Sequence, residues 1–285
     1  MADFHLWTFA ASDGYRWHYR HYPPMGKARA TVVGIHGIQS HGGWYESSCR
    51  FLQSAGCDVF FVDRRGSGLN EQARGDTPSF RRLLDDIGEF LLTLKGPDRP
   101  PLVVTAISWG GKLGAGIQYR YPGLIEGLAL LAPGFCPRVR PTRRERLQIL
   151  AAALADPKRQ FPIPLSDPAL FTANTQWQQF IVADPLALRE ATARFLLESV
   201  KFDIYLKRMP RHGKAPVLLQ LAGEDRIIDN ERTRRFVSKW STKEKSVIEY
   251  AGAHHTLEFE PDPLPVFSDL LQWLERVVAV SRRNG

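Results

Sequence analysis

Residues 105 to 112 read TAISWGGK, which sets Ser108 between Ala106 and Gly110 with Gly111 just beyond. A serine hydroxyl is a poor nucleophile unless a base takes its proton and fixed donors stabilise the oxyanion that forms on the carbonyl it attacks. A sharp strand-to-helix turn serves both needs. It lifts the side chain clear of the sheet, and the helix that follows offers its free N–H groups. Such a turn crowds the residues two positions to either side, so they must be small, and here they are alanine and glycine. The chemistry this pattern serves is acyl transfer.

Three other segments supply what the serine needs. The run TVVGI leads into HGIQSHGG at 36 to 43, where a His36-Gly37 turn aims the N–H of Ile38 toward the same edge as the N–H of Trp109. Those two donors form a candidate oxyanion hole, while His36 itself reads as structural. Downstream, LAGEDRIIDN places Asp225 just beyond an apolar run, where a carboxylate can orient a base; Asp229 reads as the cap of the next helix. EYAGAHHTLEFE then brings His254 and His255 to the same edge. Only one can be the base, and spacing leaves the choice open. The thirty positions from 225 to 255 suit one helix and one strand. A lone aspartate or histidine is more often structural, but a serine, an acid and a base at three strand ends point to a triad.

The elements that must position these residues are short β-branched runs alternating with helical spacing, the pattern of βαβ units. Two strands around a Ser-Asp-Gly turn open the chain. Strands follow at 30–35, 58–62, 101–107, 127–132, 216–222 and 246–251, with helices at 45–56, 79–96, 111–123, 231–241 and 265–280. The fold class is α/β, a mostly parallel sheet with helices on both faces. From Pro137 to about Gly213 no strand is convincing, yet 144–155 and 184–200 carry helical spacing. That interval is too long for a loop and reads as an inserted helical cap. The expected organisation is 1–136 and 214–285 as two parts of one core, with 137–213 as the cap. The apolar, irregular stretch QFPIPLSDPALF at 160–171 is suited to line a pocket for an apolar substrate, or simply to pack the cap on the body.

The 285 residues carry a formal charge of +8, partly from RVRPTRRER at 138–146, five arginines against one glutamate. Such a run can attract anionic lipid or a phosphate-bearing substrate, although most charge runs are solvated helix starts. No reading module or interleaved aromatic platform for nucleic acid is present, so no nucleic-acid partner is expected. The amino terminus does not read as a secretion signal, and the longest apolar run, 147–155, falls far short of the roughly 18 residues a spanning helix needs. Cys49, Cys57 and Cys136, an odd number without metal-ligand or CxxC spacing, read as buried thiols in a reducing compartment, the cytoplasm. No metal or organic cofactor is expected, and nothing in the sequence speaks to oligomeric state.

The segments GIHGIQSHGGWYESSCRFLQSAGCDVFFVDRRGSG, AISWGGK, LAGEDRIIDN and GAHHTLEFE resemble α/β-hydrolase fold proteins, specifically the monoacylglycerol lipase and lysophospholipase group. The resemblance covers about 30 to 135 and 215 to 280, with a weaker echo of the cap in ADPLALREATARFLLE. It implies the α/β-hydrolase fold with an inserted helical cap, and a small-molecule ester substrate. It implies Ser108 as nucleophile, Asp225 as acid, and Ile38 and Trp109 as oxyanion donors. It assigns the base to His255, because the family's Gly-Ala-x-His pattern fits residues 252 to 255. Two departures stand out. Ala106 and Ile107 replace the usual Gly and His, and Trp109 replaces a frequent Met, putting a large ring beside the acyl pocket. DRRGSG at 63–68 is shared with aminopeptidases of the same superfamily. An aminopeptidase of the proline iminopeptidase type is therefore the alternative enzyme, with Asp156, Asp167, Asp184 and Glu190 available to hold a substrate amine. A non-catalytic ligand-binding or partner module is the other alternative.

Overall fold

The structure, a computed structural model, describes residues 4–208 and 213–284. Eight strands form one sheet: β1 (His5–Ala10), β2 (Arg16–Tyr22), β3 (Thr31–Ile35), β4 (Asp58–Val62), β5 (Leu102–Ile107), β6 (Gly127–Leu131), β9 (Val217–Ala222) and β10 (Lys245–Tyr250). Their order is β1-β2-β4-β3-β5-β6-β9-β10. β1 and β2 form the expected hairpin, antiparallel to each other and to β4, and every pairing from β4 to β10 is parallel. Every residue of β3, β5 and β9 is buried, which explains why they read as nearly continuous apolar runs, broken only by Thr31, Thr105 and Gln220: a parallel strand covered on both faces has no polar side. At Gly34 the Phe61 ring lies against the backbone, and a Cβ there would stand 2.3 Å from Phe61 Cδ2.

Helices α1 (Glu46–Ser54), α2 (Phe80–Leu94) and α3 (Gly110–Arg120) alternate with these strands, as do α7 (Asn230–Ser238) and the closing α8 (Leu264–Asn284). Local chemistry sets several starts. Ser79 accepts from the N–H of Arg82 at the head of α2, and Asp229 does the same for Arg232 at the head of α7, the cap expected of it.

The insertion between β6 and β9 departs from expectation. It holds α4 (Arg143–Ala155), α5 (Thr175–Ala183) and α6 (Ala193–Leu206), but also a separate antiparallel pair, β7 (Gln160–Pro162) and β8 (Glu190–Thr192). The segment 184–200 is therefore not one helical stretch. Asp184 Oδ1 turns the chain by accepting from Leu186 N, β8 takes 190–192, and α6 begins only where Thr192 Oγ1 accepts from Phe195 N. Residues 209–212, at the far end of the expected cap, lie outside the described residues. The arginine run starts α4 through a reciprocal capping box between Thr142 and Glu145. Cys49 and Cys57 are buried thiols, while Cys136 is half-buried rather than buried as expected; none forms a disulfide. Among the described residues no helix is long and apolar enough to cross a membrane.

Candidate active site

Ser108 stands at the carboxyl end of β5 with φ +51°, a left-handed conformation that costs a non-glycine residue roughly 1–2 kcal/mol. Backbone bonds hold it there: its N–H donates to Leu131 O at 2.9 Å, and its carbonyl accepts from Gly111 N at 2.9 Å and Gly134 N at 2.6 Å. The smallness of Gly110 is required, because a Cβ on it would lie 2.4 Å from His36 O. Strands β3 and β5 are neighbours, so the turn after β3 meets the turn after β5, and Gly37 faces Ser108 closely enough that an added Cβ would sit 3.2 Å from Ser108 Cβ.

Asp225 follows β9 and His255 follows β10. His255 Nε2 lies 2.9 Å from Ser108 Oγ, and His255 Nδ1 lies 2.8 Å from Asp225 Oδ2. The other carboxylate oxygen, Oδ1, accepts from Ile227 N and Ile228 N, each at 2.8 Å. A carboxylate can only accept, so Nδ1 carries the proton and Nε2 is left with a lone pair for the serine hydroxyl. Both side chains are buried. The two adjacent histidines diverge: His254 turns to Glu260, with Nδ1 3.3 Å from Oε1 and its backbone N–H donating to the same oxygen at 2.7 Å. Spacing had left that choice open, and only His255 reaches Ser108.

The N–H groups of Ile38 and Trp109 have no hydrogen-bond acceptor among the described residues. Arg64, which the sequence reading passed over, connects these two positions. Its Nη2 donates to Ile38 O at 2.6 Å, and its buried guanidinium stacks 5.1 Å from the Trp109 ring and 5.3 Å from that of Phe195. Its only sequence signal was membership of the DRRGSG turn. His36 is fully buried, with Nδ1 2.8 Å from Gly37 O and Nε2 accepting from Arg64 N at 3.1 Å. Burial, then the nearby Arg64 charge, hold it well below the ordinary histidine range, so it stays neutral and structural, as expected.

In front of Ser108, Ile38 and Trp109 opens a cavity of about 820 Å³, walled by apolar side chains that include Val139, Ile163, Leu165, Leu196 and Phe236. Ile163 and Leu165 come from the 160–171 stretch. Trp109 Nε1 donates to Ser199 Oγ at 2.9 Å, which pins the ring. Of the acids considered for holding a substrate amine, none lines this cavity. Asp184 is spent elsewhere, 3.0 Å from His41 Nε2 and 2.7 Å from Trp44 Nε1; burial raises its pKa, but these contacts outweigh that and hold the carboxyl below its usual value. Among the described residues no group of three or more His, Cys, Asp or Glu side chains is placed to hold a metal ion.

Glu258, three positions past His255, is buried with Ser48 N donating to Oε1 at 2.8 Å, and burial pushes its carboxyl up to about 7. A carboxyl raised in the folded state contributes stability that is complete below its ordinary value of 4.5 and is lost as pH rises through about 7. Glu258→Gln removes that penalty. The variant should be more stable than wild type by about 3 kcal/mol at pH 8 and by little at pH 5, read as melting temperature against pH. An equal difference at both pH values would show that Glu258 does not titrate in this way.

The family model described as Serine aminopeptidase, S33, matches residues 26–262. The chain belongs to this family. Within reach of it are proteins of lipid chemistry. The chain is 24% identical over 280 residues to a monoglyceride lipase of Mus musculus, covering 95% of this chain and 90% of that one. It is 25% identical over 247 residues to a phospholipase of Bacillus subtilis, covering 84% and 92%. A solved structure of a soluble variant of monoglyceride lipase from Saccharomyces cerevisiae, in complex with a substrate analog, superposes with a TM-score of 0.85 at 20% identity, covering 97% of this chain and 96% of that one. The member described here is an α/β-hydrolase and a serine hydrolase of the monoacylglycerol-lipase-like kind, as the resemblance implied.

Proposed function

We propose that the protein hydrolyses carboxylic esters of single-chain lipids, monoacylglycerol- or lysophospholipid-like, through Ser108, His255 and Asp225. The observation that carries this is the continuous hydrogen-bonded line from Asp225 to Ser108 Oγ opening on an apolar cavity. Ser108 Oγ attacks the ester carbonyl as His255 Nε2 takes its proton. Asp225 keeps the imidazole in the required tautomer and stabilises its charged form. The oxyanion is received by the N–H groups of Ile38 and Trp109, which need no reorganisation because nothing else occupies them. His255 returns the proton to the departing alcohol, leaving an acyl-enzyme, and a water activated by the same imidazole releases the acid. The segment 137–213 acts as the cap, supplying most of the apolar wall. Its α4 exposes Leu147, Leu150 and Leu154 beside Arg143, Arg144 and Arg146, a combination suited to peripheral contact with anionic lipid. The free thiols support the cytoplasm as the compartment.

The family's descriptive name keeps the peptidase alternative in view, and the cavity weighs against it. A free amine needs an unspent carboxylate, and the one carboxylate among the lining residues, Asp203, lies 2.6 Å from Lys112 Nζ. The test sets p-nitrophenyl esters of graded acyl length, a monoacylglycerol and a lysophospholipid against amino-acid arylamides. Ester turnover that improves with chain length and negligible arylamide cleavage are expected. Efficient arylamide cleavage would favour the peptidase, and a preference for the shortest esters would reduce the assignment to a general carboxylesterase.

A further inference from the structure

The charged residues of the cavity are nearly all of one sign. Besides Lys112 and its partner Asp203, the wall includes Arg140, Arg146, Lys207 and Arg232, contributed by the approach to α4, by α4 itself, by the end of α6 and by α7. All four are exposed, so they stand around the opening, while Lys112 is buried within. Several arginines elsewhere are held by carboxylates, among them Arg29 by Glu275, Arg65 by Asp86, Arg82 by Glu89, Arg120 by Asp85 and Arg194 by Asp76. Among the described residues none of the four forms an ion pair. Arg140 Nε and Arg146 Nε instead donate to the carbonyls of Pro137 and Pro141, at 2.9 and 3.0 Å, bonds that orient a guanidinium without neutralising it. Like charges converging on a low-dielectric opening repel one another and focus a field that draws in anions.

We propose that this cavity takes an ester whose end remote from the scissile bond carries an anionic group, a carboxylate or a phosphate, held by Arg140, Arg146, Lys207 and Arg232. The inference rests on the reading of Ser108 as an acyl-transfer nucleophile. Position favours a charge on the acyl part. The departing alcohol must leave beside His255 to collect its proton, and His255 does not line the large cavity itself but a small space with Gln39, Phe171 and Thr256 that meets it at Ser108, Ile38 and Leu165. A lysophospholipid whose phosphate folds back to the opening presents the same chemistry from the other side of the ester.

The experiment measures kcat/KM for two pairs of water-soluble esters. One pair is the p-nitrophenyl half-ester of a dicarboxylic acid and the same compound with its remote carboxylate methylated. The other is a lysophosphatidate and the monoacylglycerol of the same acyl chain. Each pair is run on wild type and on the combined variant Arg140→Gln, Arg146→Gln, Lys207→Gln, Arg232→Gln. At low ionic strength the anionic member of at least one pair should be preferred about tenfold or more, the preference shrinking toward unity in the variant and in salt approaching about 1 M. Preference in the first pair places the charge on the acyl end, and preference in the second places it on the headgroup. Because the ratio is taken within one preparation, a partly misfolded variant lowers both members and leaves it unmoved. A ratio at or below unity in both pairs, or a preference that survives removal of the four charges, would overturn the proposal. Absence of hydrolysis of every ester would instead overturn the reading of Ser108, and this inference with it.

Discussion

Ser108→Ala is expected to lower ester turnover by on the order of 10^6-fold while leaving the far-ultraviolet circular dichroism and melting temperature close to wild type. The size follows from what the substitution removes and what it keeps. It deletes the hydroxyl proposed to attack, which lies 2.9 Å from the imidazole nitrogen that would take its proton. The Ile38 and Trp109 N–H groups remain, and so does the cavity, which sets the residual rate above that of water alone. The fold should tolerate the change because the strained φ of +51° is imposed by backbone bonds from Leu131, Gly111 and Gly134, none of which uses the hydroxyl. Turnover within tenfold of wild type would remove Ser108 from the mechanism.

His255→Ala should cost nearly as much, again about five to six orders of magnitude, whereas His254→Ala should stay within about tenfold of wild type. The contrast is geometric. His255 bridges Ser108 and Asp225 at 2.9 and 2.8 Å, while its neighbour in sequence turns to Glu260. Residues that act as one unit are not additive, so combining His255→Ala with Ser108→Ala should add little to either alone. Initial rates on one chromogenic ester suffice for the four variants and wild type. The reverse ranking of the two histidines would place the base at 254.

The parts of this molecule that were legible in the sequence are those built from local pattern repeated at strand ends. Strands β3, β5 and β9 announce themselves because burial on both faces leaves each run almost wholly apolar, with Thr31, Thr105 and Gln220 the only polar members, and Ser108, Asp225 and His255 stand just past three parallel strands of one sheet, the edge where such folds place their chemistry. The choice between His254 and His255 was not legible from spacing, since adjacent residues share an address and differ only in direction. The insertion was legible as mostly helical, but β7 and β8 are three residues each, too short to show a period of two, and α5 begins from an Asn174 cap without a strong apolar stripe. Asp184 looked available for a ligand because sequence cannot show that His41 and Trp44, more than a hundred residues away, already hold it. Arg64 was invisible for the same reason, because its importance lies in a carbonyl at 38 and two rings at 109 and 195 that only the fold brings to it.

The central claim is that the Ser108 oxygen is the group that becomes covalently acylated. Treating the native enzyme with a fluorophosphonate and mapping the adduct by peptide mass spectrometry tests it most directly. One phosphonyl group on the peptide containing Ser108, absent when the protein is first unfolded and absent in His255→Ala, is the predicted result. An unlabelled Ser108 in active enzyme, or a stoichiometric adduct on another residue, would contradict it.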